Sequence, residues 1–183
     1  MKQLRLFILV VVGLLTACGT SVEEPGALRP YTSQLTTLTF SYPENWAVSE
    51  NPDTLLIASN EEALTTFNNT DATIISITLV PGVVPASTML TELLQPTVQS
   101  LLNQEGVKVL AEAEVMTLNN QMAGSVKLET TDSNGLEIVV QAVSVAGPDQ
   151  VALITAVTDK SRYNNDKEAI EAFLNSLIVG PLE

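Results

Sequence analysis

The chain has 183 residues and a strongly acidic composition, with 21 aspartates and glutamates against 8 lysines and arginines and a formal net charge of −13. Nucleic-acid binding is excluded, because the counterion release that drives it needs clustered basic side chains that this sequence lacks. The sequence has no histidine, which excludes Ser-His-Asp and Cys-His nucleophile systems, imidazole zinc sites and histidine acid–base catalysis.

The first predicted element is a short apolar segment near the N terminus. Lys2 and Arg5 precede or flank it, and residues 6–15 (LFILVVVGLL) are all apolar. Ten residues are too few for a helix that crosses a bilayer, which takes roughly 20. The pattern is typical of the apolar region of a secretory signal peptide, so we expect residues 1–17 to be absent from the mature chain.

The sequence at the end of this segment resembles the lipobox of bacterial lipoproteins. Leu15, Thr16 and Ala17 lead into Cys18, the one cysteine of the chain. The resemblance implies cleavage between Ala17 and Cys18, and attachment of a diacylglyceryl group and acyl chains such as palmitate to Cys18. Two or more acyl chains anchor a protein stably to a membrane. Gly19 is not the aspartate associated with inner-membrane retention, so inner and outer membrane both stay open.

Two alternatives for this segment stay open, namely an ordinary cleaved signal peptide that leaves a free thiol and an uncleaved anchor. A lone cysteine in an exported protein has no partner for an intramolecular disulfide. Acylation of Cys18 therefore explains its presence better than a free thiol does. The expected location is the bacterial cell envelope, facing outside the cytoplasm.

The segment after the cysteine is predicted to be a linker. Residues 18–34 show no sustained apolar period and are interrupted by Pro25, Gly26 and Pro30. A flexible stretch of about 16 residues has a root-mean-square reach of roughly 20 to 24 Å, enough to let a domain reorient above the membrane. Residues 35–183 are expected to form a single domain, large enough to build a core without a metal ion or a disulfide.

Hydrophobic alternation predicts several strands in this domain. In one of them Ile75, Ile77 and Leu79 share a face while the intervening side chains take the other. Asn134-Gly135 is a strong hairpin signal. Short connections favour an antiparallel meander and an α+β class. The predicted strands are residues 38–42, 54–58, 73–80, 107–116, 121–131, 136–146 and 151–158.

Two helices are also predicted. Apolar residues recur at steps of three and four over residues 88–104, with Pro96 expected to kink or interrupt the helix. The last helix is expected to begin at Asn165 as its cap, with Glu168 three residues on, and to end at Gly180-Pro181.

The first strand and its end resemble the opening of the PsbP-like family, whose founding members are extrinsic proteins of photosystem II. Residues 39–46 (TFSYPENW) form a strand closed by Pro-x-x-Trp. Residues 151–156 (VALITA), then 159–163 (DKSRY) and a terminal amphipathic helix, are similar to the end of those domains. The resemblance spans residues 38–179 and implies an αβα sandwich with a central antiparallel sheet.

Metal binding is not carried over to this chain from the resemblance, and no cofactor is assigned. Some PsbP-like proteins are linked to manganese or calcium, but the histidines associated with such sites have no counterpart here. The family fold is also shared with bacterial lipoproteins of unassigned role, so the resemblance bears on architecture more than on function.

Carboxylates are the candidate chemical groups that remain. Glu112 and Glu114 are expected on one face of a strand with β-carbons about 7 Å apart. That separation would suit paired acids or calcium, but it is more typical of a solvated strand face. Residues 132–135 (DSNG) lack the spaced ligands of an EF-hand and fit a turn. Tyr42 and Trp46 would line a ligand groove or, preferably, close the core edge. No catalytic, cofactor-binding or metal-binding residue is assigned.

The sequence favours a lipid-anchored, non-catalytic binding or accessory module that acts with a protein partner at a membrane or envelope complex. The alternatives are an extracytoplasmic hydrolase that uses carboxylates and a lipoprotein that binds a small ligand or cation. The acidic charge opposes contact with anionic lipids, so the lipid on Cys18 would have to hold the protein at the membrane.

Overall fold

A computed structural model of the protein describes residues 23–51, 54–83, 92, 94, 99–100, 102 and 106–182. The predicted signal peptide, Cys18 and most of the predicted helix at 88–104 lie outside the described residues. Helix α1 spans Glu61–Thr66 and helix α2 spans Tyr163–Ser176. The strands described are β1 (Leu28–Thr32), β2 (Leu38–Pro43), β3 (Ala47–Asn51), β4 (Thr54–Ala58), β5 (Thr73–Pro81), β6 (Lys108–Leu118), β7 (Gln121–Thr131), β8 (Glu137–Ala146), β9 (Gln150–Asp159) and β10 (Ile178–Val179).

These strands form two antiparallel sheets. Strands β6 to β9 follow one another as the predicted meander, and β9 then pairs with β5, giving the order β3-β4-β5-β9-β8-β7-β6. A smaller sheet has the order β1-β2-β10. The predicted α+β class with antiparallel sheets is confirmed, and the seven predicted strands all form, with ends shifted by at most two residues.

The large sheet is covered on both faces. Helix α2 and the small sheet pack on one face, where the main core brings together Ile75, Ile154 and Phe173. On the opposite face Leu94, in helical conformation, is buried against Val126 and its neighbours on β7 and β8. The arrangement agrees with the predicted αβα sandwich, to which it adds a second sheet.

Tyr42 and Trp46 belong to the main core. Each side chain is 3% exposed. Tyr42 lies on β2, and Trp46 lies in the turn that follows this strand. Phe40 on β2 packs edge-to-face on Phe173 of α2, with ring centroids 5.2 Å apart. The preferred interpretation of Trp46 as a core residue is therefore confirmed.

The linker prediction is wrong for Leu28–Thr32, which form β1. This strand pairs with β2 in a register that runs from Leu28 opposite Pro43 to Thr32 opposite Thr39. It carries no apolar alternation because it is an exposed edge strand, a position in which Pro30 is tolerated. Tyr31 attaches it to the core by stacking on Phe40, with ring centroids 5.0 Å apart.

The predicted limits of the last helix are also wrong. Asn165 lies inside α2, which begins at Tyr163 with Arg162 as the preceding cap residue. The helix ends at Ser176, because Leu177 has an extended backbone and the next two residues pair with β2 as β10. Asp166, which nothing in the pattern marked, is the buried acidic residue of the first turn.

The strands run between two ends of the domain. Thr73 lies opposite Thr158 and Pro81 lies opposite Gln150, so β5 and β9 span the full distance. Eight residue steps at about 3.3 Å put these ends roughly 26 Å apart. The end near the described N terminus is called the proximal end and is marked by Leu28, Pro43, Thr73 and Asp159. The opposite end is called the cleft end and is marked by Thr32, Leu38, Pro81 and Gln150.

Candidate binding cleft

A cleft of about 480 Å³ opens at the cleft end, between the β1–β2 hairpin and strands β4 and β5. Its size is within the range of about 300 to 1,000 Å³ that is usual for ligand sites. None of its described lining residues is charged, so it offers hydrogen bonds and apolar contact without an electrostatic preference. They are Ser33, Gln34, Leu35, Thr36, Thr37, Leu38, Thr54, Leu55, Ile77, Thr78, Leu79, Pro81, Gln150 and Leu182.

The apolar residues of the cleft are buried at its floor and exposed at its rim. Leu38, Leu55 and Ile77 are buried core residues that form its floor. Leu35 and Leu182 lie at the rim and are 57% and 47% exposed. Exposed leucines beside hydroxyl groups favour an uncharged ligand, such as a polypeptide segment, that makes both kinds of contact.

The hairpin that forms one wall of the cleft is held by the carboxylate of Glu50 on β3. The hydroxyl of Tyr31 donates to Glu50 Oε2 at 3.0 Å, and the hydroxyl of Ser33 donates to Oε1. The backbone N–H groups of Gln34 and Leu35 donate to the same carboxylate at 3.0 and 3.3 Å. Four donors from one hairpin therefore converge on a single side chain of the neighbouring sheet.

This carboxylate is held in its ionised form. Burial raises the pKa of Glu50, but the hydrogen bonds from Ser33, Gln34, Leu35 and Tyr31 outweigh it, so its pKa lies below its usual value. Burial, followed by the hydrogen bond to Glu50, raises the pKa of Tyr31 to about 12. The wall of the cleft is thus held in position by a fixed negative charge.

Gln150 joins the back of the cleft to the C-terminal segment. Its side chain is 1% exposed, and its Nε2 donates to Thr37 Oγ1 at 2.7 Å and to the Gly180 carbonyl at 2.8 Å. Its Oε1 is buried and has no hydrogen-bond partner among the described residues. The C-terminal segment can lie this close to Thr37 only with glycine at position 180, because a β-carbon there would lie 2.8 Å from the Thr37 carbonyl oxygen.

Comparison with known proteins was informative only at the level of structure. No protein-family model matches the chain, and no curated protein matches it. Cyanobacterial PsbP (CyanoP) from Synechocystis sp. PCC 6803 superposes with a TM-score of 0.57 and 12% identity, over 91% of this chain and 99% of that one. The chain has the PsbP-like fold.

Two further solved structures share this architecture. LpqN, involved in cell envelope biogenesis of Mycobacterium tuberculosis, matches with a TM-score of 0.60 and 16% identity, over 85% of this chain and 91% of its own. The Saccharomyces cerevisiae Ran-binding protein Mog1p matches with a TM-score of 0.55 and 10% identity, over 84% and 96%. At these identities the likeness shows the fold alone.

The DKSRY segment that carried part of the PsbP-like resemblance is a structural clamp at the proximal end. Arg162 Nε donates to Asp166 Oδ2 at 2.9 Å, and Nη2 donates to Oδ1 at 3.3 Å. Thr73 Oγ1 also donates to Asp166 Oδ2, at 2.7 Å. The hydrogen bond from Thr73 ties the start of α2 to β5. Because Arg162 and Asp166 are both buried and paired, neither side chain is available to react.

Asp159 in the same segment holds the turn before α2. It accepts hydrogen bonds from the backbone of Asp71 at 2.7 Å and from the backbone and hydroxyl of Ser161 at 2.9 and 2.7 Å. Burial raises the pKa of Asp159, but these hydrogen bonds and the nearby Arg162 outweigh it and the pKa is lowered. Its role is therefore to fix the turn as a permanent anion.

The carboxylates predicted as candidates lie away from the cleft. Glu112 and Glu114 are exposed on the edge strand β6, where a bulge between Ala111 and Glu114 interrupts the alternation that would put them on one face. Asp132 accepts hydrogen bonds from the backbone of Asn134 and Leu136 and shapes the β7–β8 turn, as the turn interpretation predicts.

The described ranges contain neither an evident metal site nor a membrane-crossing helix. Within them, no three carboxylate or thiol side chains converge as metal ligands would. No helix there combines the length and the apolar character needed to span a bilayer.

Sequence reasoning missed the residues that build the cleft. Gln150 lies on the same face of β9 as the core residues Ala152 and Ile154. A polar side chain on an otherwise apolar strand face could have marked it as a candidate site residue. Glu50 had no such signal, because the groups that it binds lie 15 to 19 residues away and meet it only in the folded domain.

Proposed function

We propose that the protein is a lipid-anchored extracytoplasmic accessory module that binds an uncharged segment of a protein partner in the cleft. The observation that carries this proposal is the cleft itself, whose described lining combines hydroxyl and amide groups with aliphatic side chains and includes no charged group. Such a lining suits recognition through hydrogen bonds and apolar contact.

The fold neighbours support the same class of function. Mog1p is a Ran-binding protein, and LpqN is involved in cell envelope biogenesis. Attachment through Cys18 remains part of the proposal and follows from the lipobox resemblance. Intact-mass measurement of the membrane-extracted protein tests it: acylation at Cys18 is expected, and an unmodified thiol contradicts it. Cys18→Ser should block acylation.

Site-specific photo-cross-linking in cells tests the cleft. A photoreactive side chain in place of Leu35 or Leu182 at the rim should capture one and the same protein, and the same probe at Glu112 on β6 should not. Leu182→Arg, which places a charge at the rim of the neutral lining, should weaken both the cross-link from position 35 and cellular function. Capture from Glu112 alone, or an unaffected Leu182→Arg variant, would reject the cleft as the binding site.

A small uncharged ligand is the second candidate, because the cleft has the volume of a small-molecule site. Native mass spectrometry of the purified protein separates the two possibilities. A bound small molecule that the Leu182→Arg variant loses would favour the small ligand over a polypeptide segment.

A further inference from the structure

The described chain is attached to the domain as far back as Glu23. Arg162 Nη2 donates to the Glu23 carbonyl at 2.9 Å. Asn45 holds the next residues, since its Nδ2 donates to the Glu24 carbonyl at 3.0 Å and its Oδ1 accepts from the Gly26 N–H at 2.7 Å. Residues 23–26 therefore belong to the folded domain and not to a free linker.

This attachment shortens the tether that the sequence predicted. Only residues 19–22 separate Cys18 from Glu23. Five α-carbon steps of at most 3.8 Å limit the distance between these two residues to about 19 Å. The two ends of the domain are roughly 26 Å apart. A lipid on Cys18 would thus hold Glu23 near the membrane. The tether is too short for Cys18 to lie at the cleft end.

Glu23, whose carbonyl accepts the hydrogen bond from Arg162, lies at the proximal end. The guanidinium of Arg162 binds the Glu23 carbonyl through Nη2 and the Asp71 carbonyl, at 3.3 Å, through Nη1. Asp71, at the end of the loop that follows α1, therefore lies beside Glu23. Phe67, which ends α1 with a left-handed backbone (φ 53°), presents a ring that is 65% exposed.

We propose that the proximal end rests against the lipid surface with Phe67 as its apolar contact, and that the cleft faces away from the membrane. The inference rests on the proposed acylation of Cys18. An exposed phenylalanine ring can be buried at the boundary between lipid headgroups and acyl chains. Glu61, Glu62 and Asp71 at the same end oppose binding to anionic lipids, so the surface that fits is an uncharged, zwitterionic one held close by the short tether.

The experiment uses the full acylated protein in phosphatidylcholine vesicles that carry a nickel-chelating lipid. Spin labels are attached to Thr66→Cys, an exposed position beside Phe67, in one variant and to Leu35→Cys at the cleft rim in another, since an acylated Cys18 does not react with the label. Relaxation enhancement by the headgroup nickel should be greater at position 66 than at position 35.

Insertion of about 20 glycine and serine residues after Val22 provides the control, because a flexible tether of that length exceeds the limit set above. The difference between the two labels should then decrease, because Phe67 alone would hold the proximal end at the lipid. Equal or reversed enhancement in the acylated protein, or an enhancement at position 66 that Phe67→Ala leaves unchanged, would overturn the proposal. Failure of acylation would appear in the intact mass first and would count against the proposed function instead.

Discussion

Arg162 and Asp166 form a buried, two-pronged ion pair one helical turn apart at the start of α2, with Nε 2.9 Å from Oδ2. Asp166 has no exposed surface, so the pair depends on complete hydrogen bonding by Arg162 and Thr73. Removing one partner of such a pair leaves an uncompensated charge in the interior.

Arg162→Ala should therefore destabilise the domain by about 3–5 kcal/mol. Urea unfolding monitored by circular dichroism measures the change. Lys160→Ala is the matched control, since Lys160 forms ion pairs with Glu129 and Glu137 on the surface, and this variant should unfold almost as the parent does. Equal effects of the two substitutions would contradict the clamp.

Trp46→Ala should destabilise the protein by about 3–5 kcal/mol, because it empties a core position that is 3% exposed. Phe67→Ala removes an aromatic ring that is 65% exposed and should leave stability nearly unchanged. Thermal melting of both variants is the measurement. A melting temperature that does not respond to Trp46→Ala would place that ring outside the core.

Glu50 should make stability depend on pH in the acid range. Its pKa is lower in the folded protein than in the unfolded chain, so its contribution is complete above its usual pKa of 4.5 and is lost as the pH falls through the folded value. Glu50→Gln should lower stability at neutral pH and flatten the decline below about pH 4.5. Glu112→Gln, on the exposed strand β6, should leave the profile of the parent; identical profiles for the two variants would refute this role of Glu50.

Anchoring should matter more to cellular function than any single exposed carboxylate. A tether raises the effective concentration of a weak binding surface near its target. Alanine at Glu112, Glu114 or Asp132 should leave complementation of a deletion strain intact, whereas a secreted form lacking residues 1–18 should fail. Rescue by the untethered domain, or loss of function from one of these alanine variants, would favour a localised active or metal site.

The strands were predictable where one face of a strand packs on the core. Strands β4 and β7 have the limits predicted, because their side chains report burial directly along the sequence. Strands β1 and β3 were missed since they lie at sheet edges with little burial, and β10 is only two residues long. Their positions are decided by pairing with distant strands, which no local pattern records.

The cleft was not predictable in the same way. Gln150 meets Thr37 across 113 residues of sequence, and Glu50 collects its donors from a different sheet. Local patterns instead drew attention to Glu112 and Asp132, whose surroundings in the fold are solvent and a turn. Chemistry-bearing residue types are visible in a sequence, but their convergence depends on tertiary structure.

The irregular pairing of β6 with β7 has a consequence for self-association. Strand β6 is the outer strand of the large sheet and exposes Val109, Leu110 and Val115, a combination that invites another chain to extend the sheet. Register shifts on either side of Ala111 twist the strand and break the regular row of free N–H and C=O groups that such growth requires. The same bulges that interrupt the strand between Ala111 and Glu114 thus protect an apolar edge against edge-to-edge pairing with another chain.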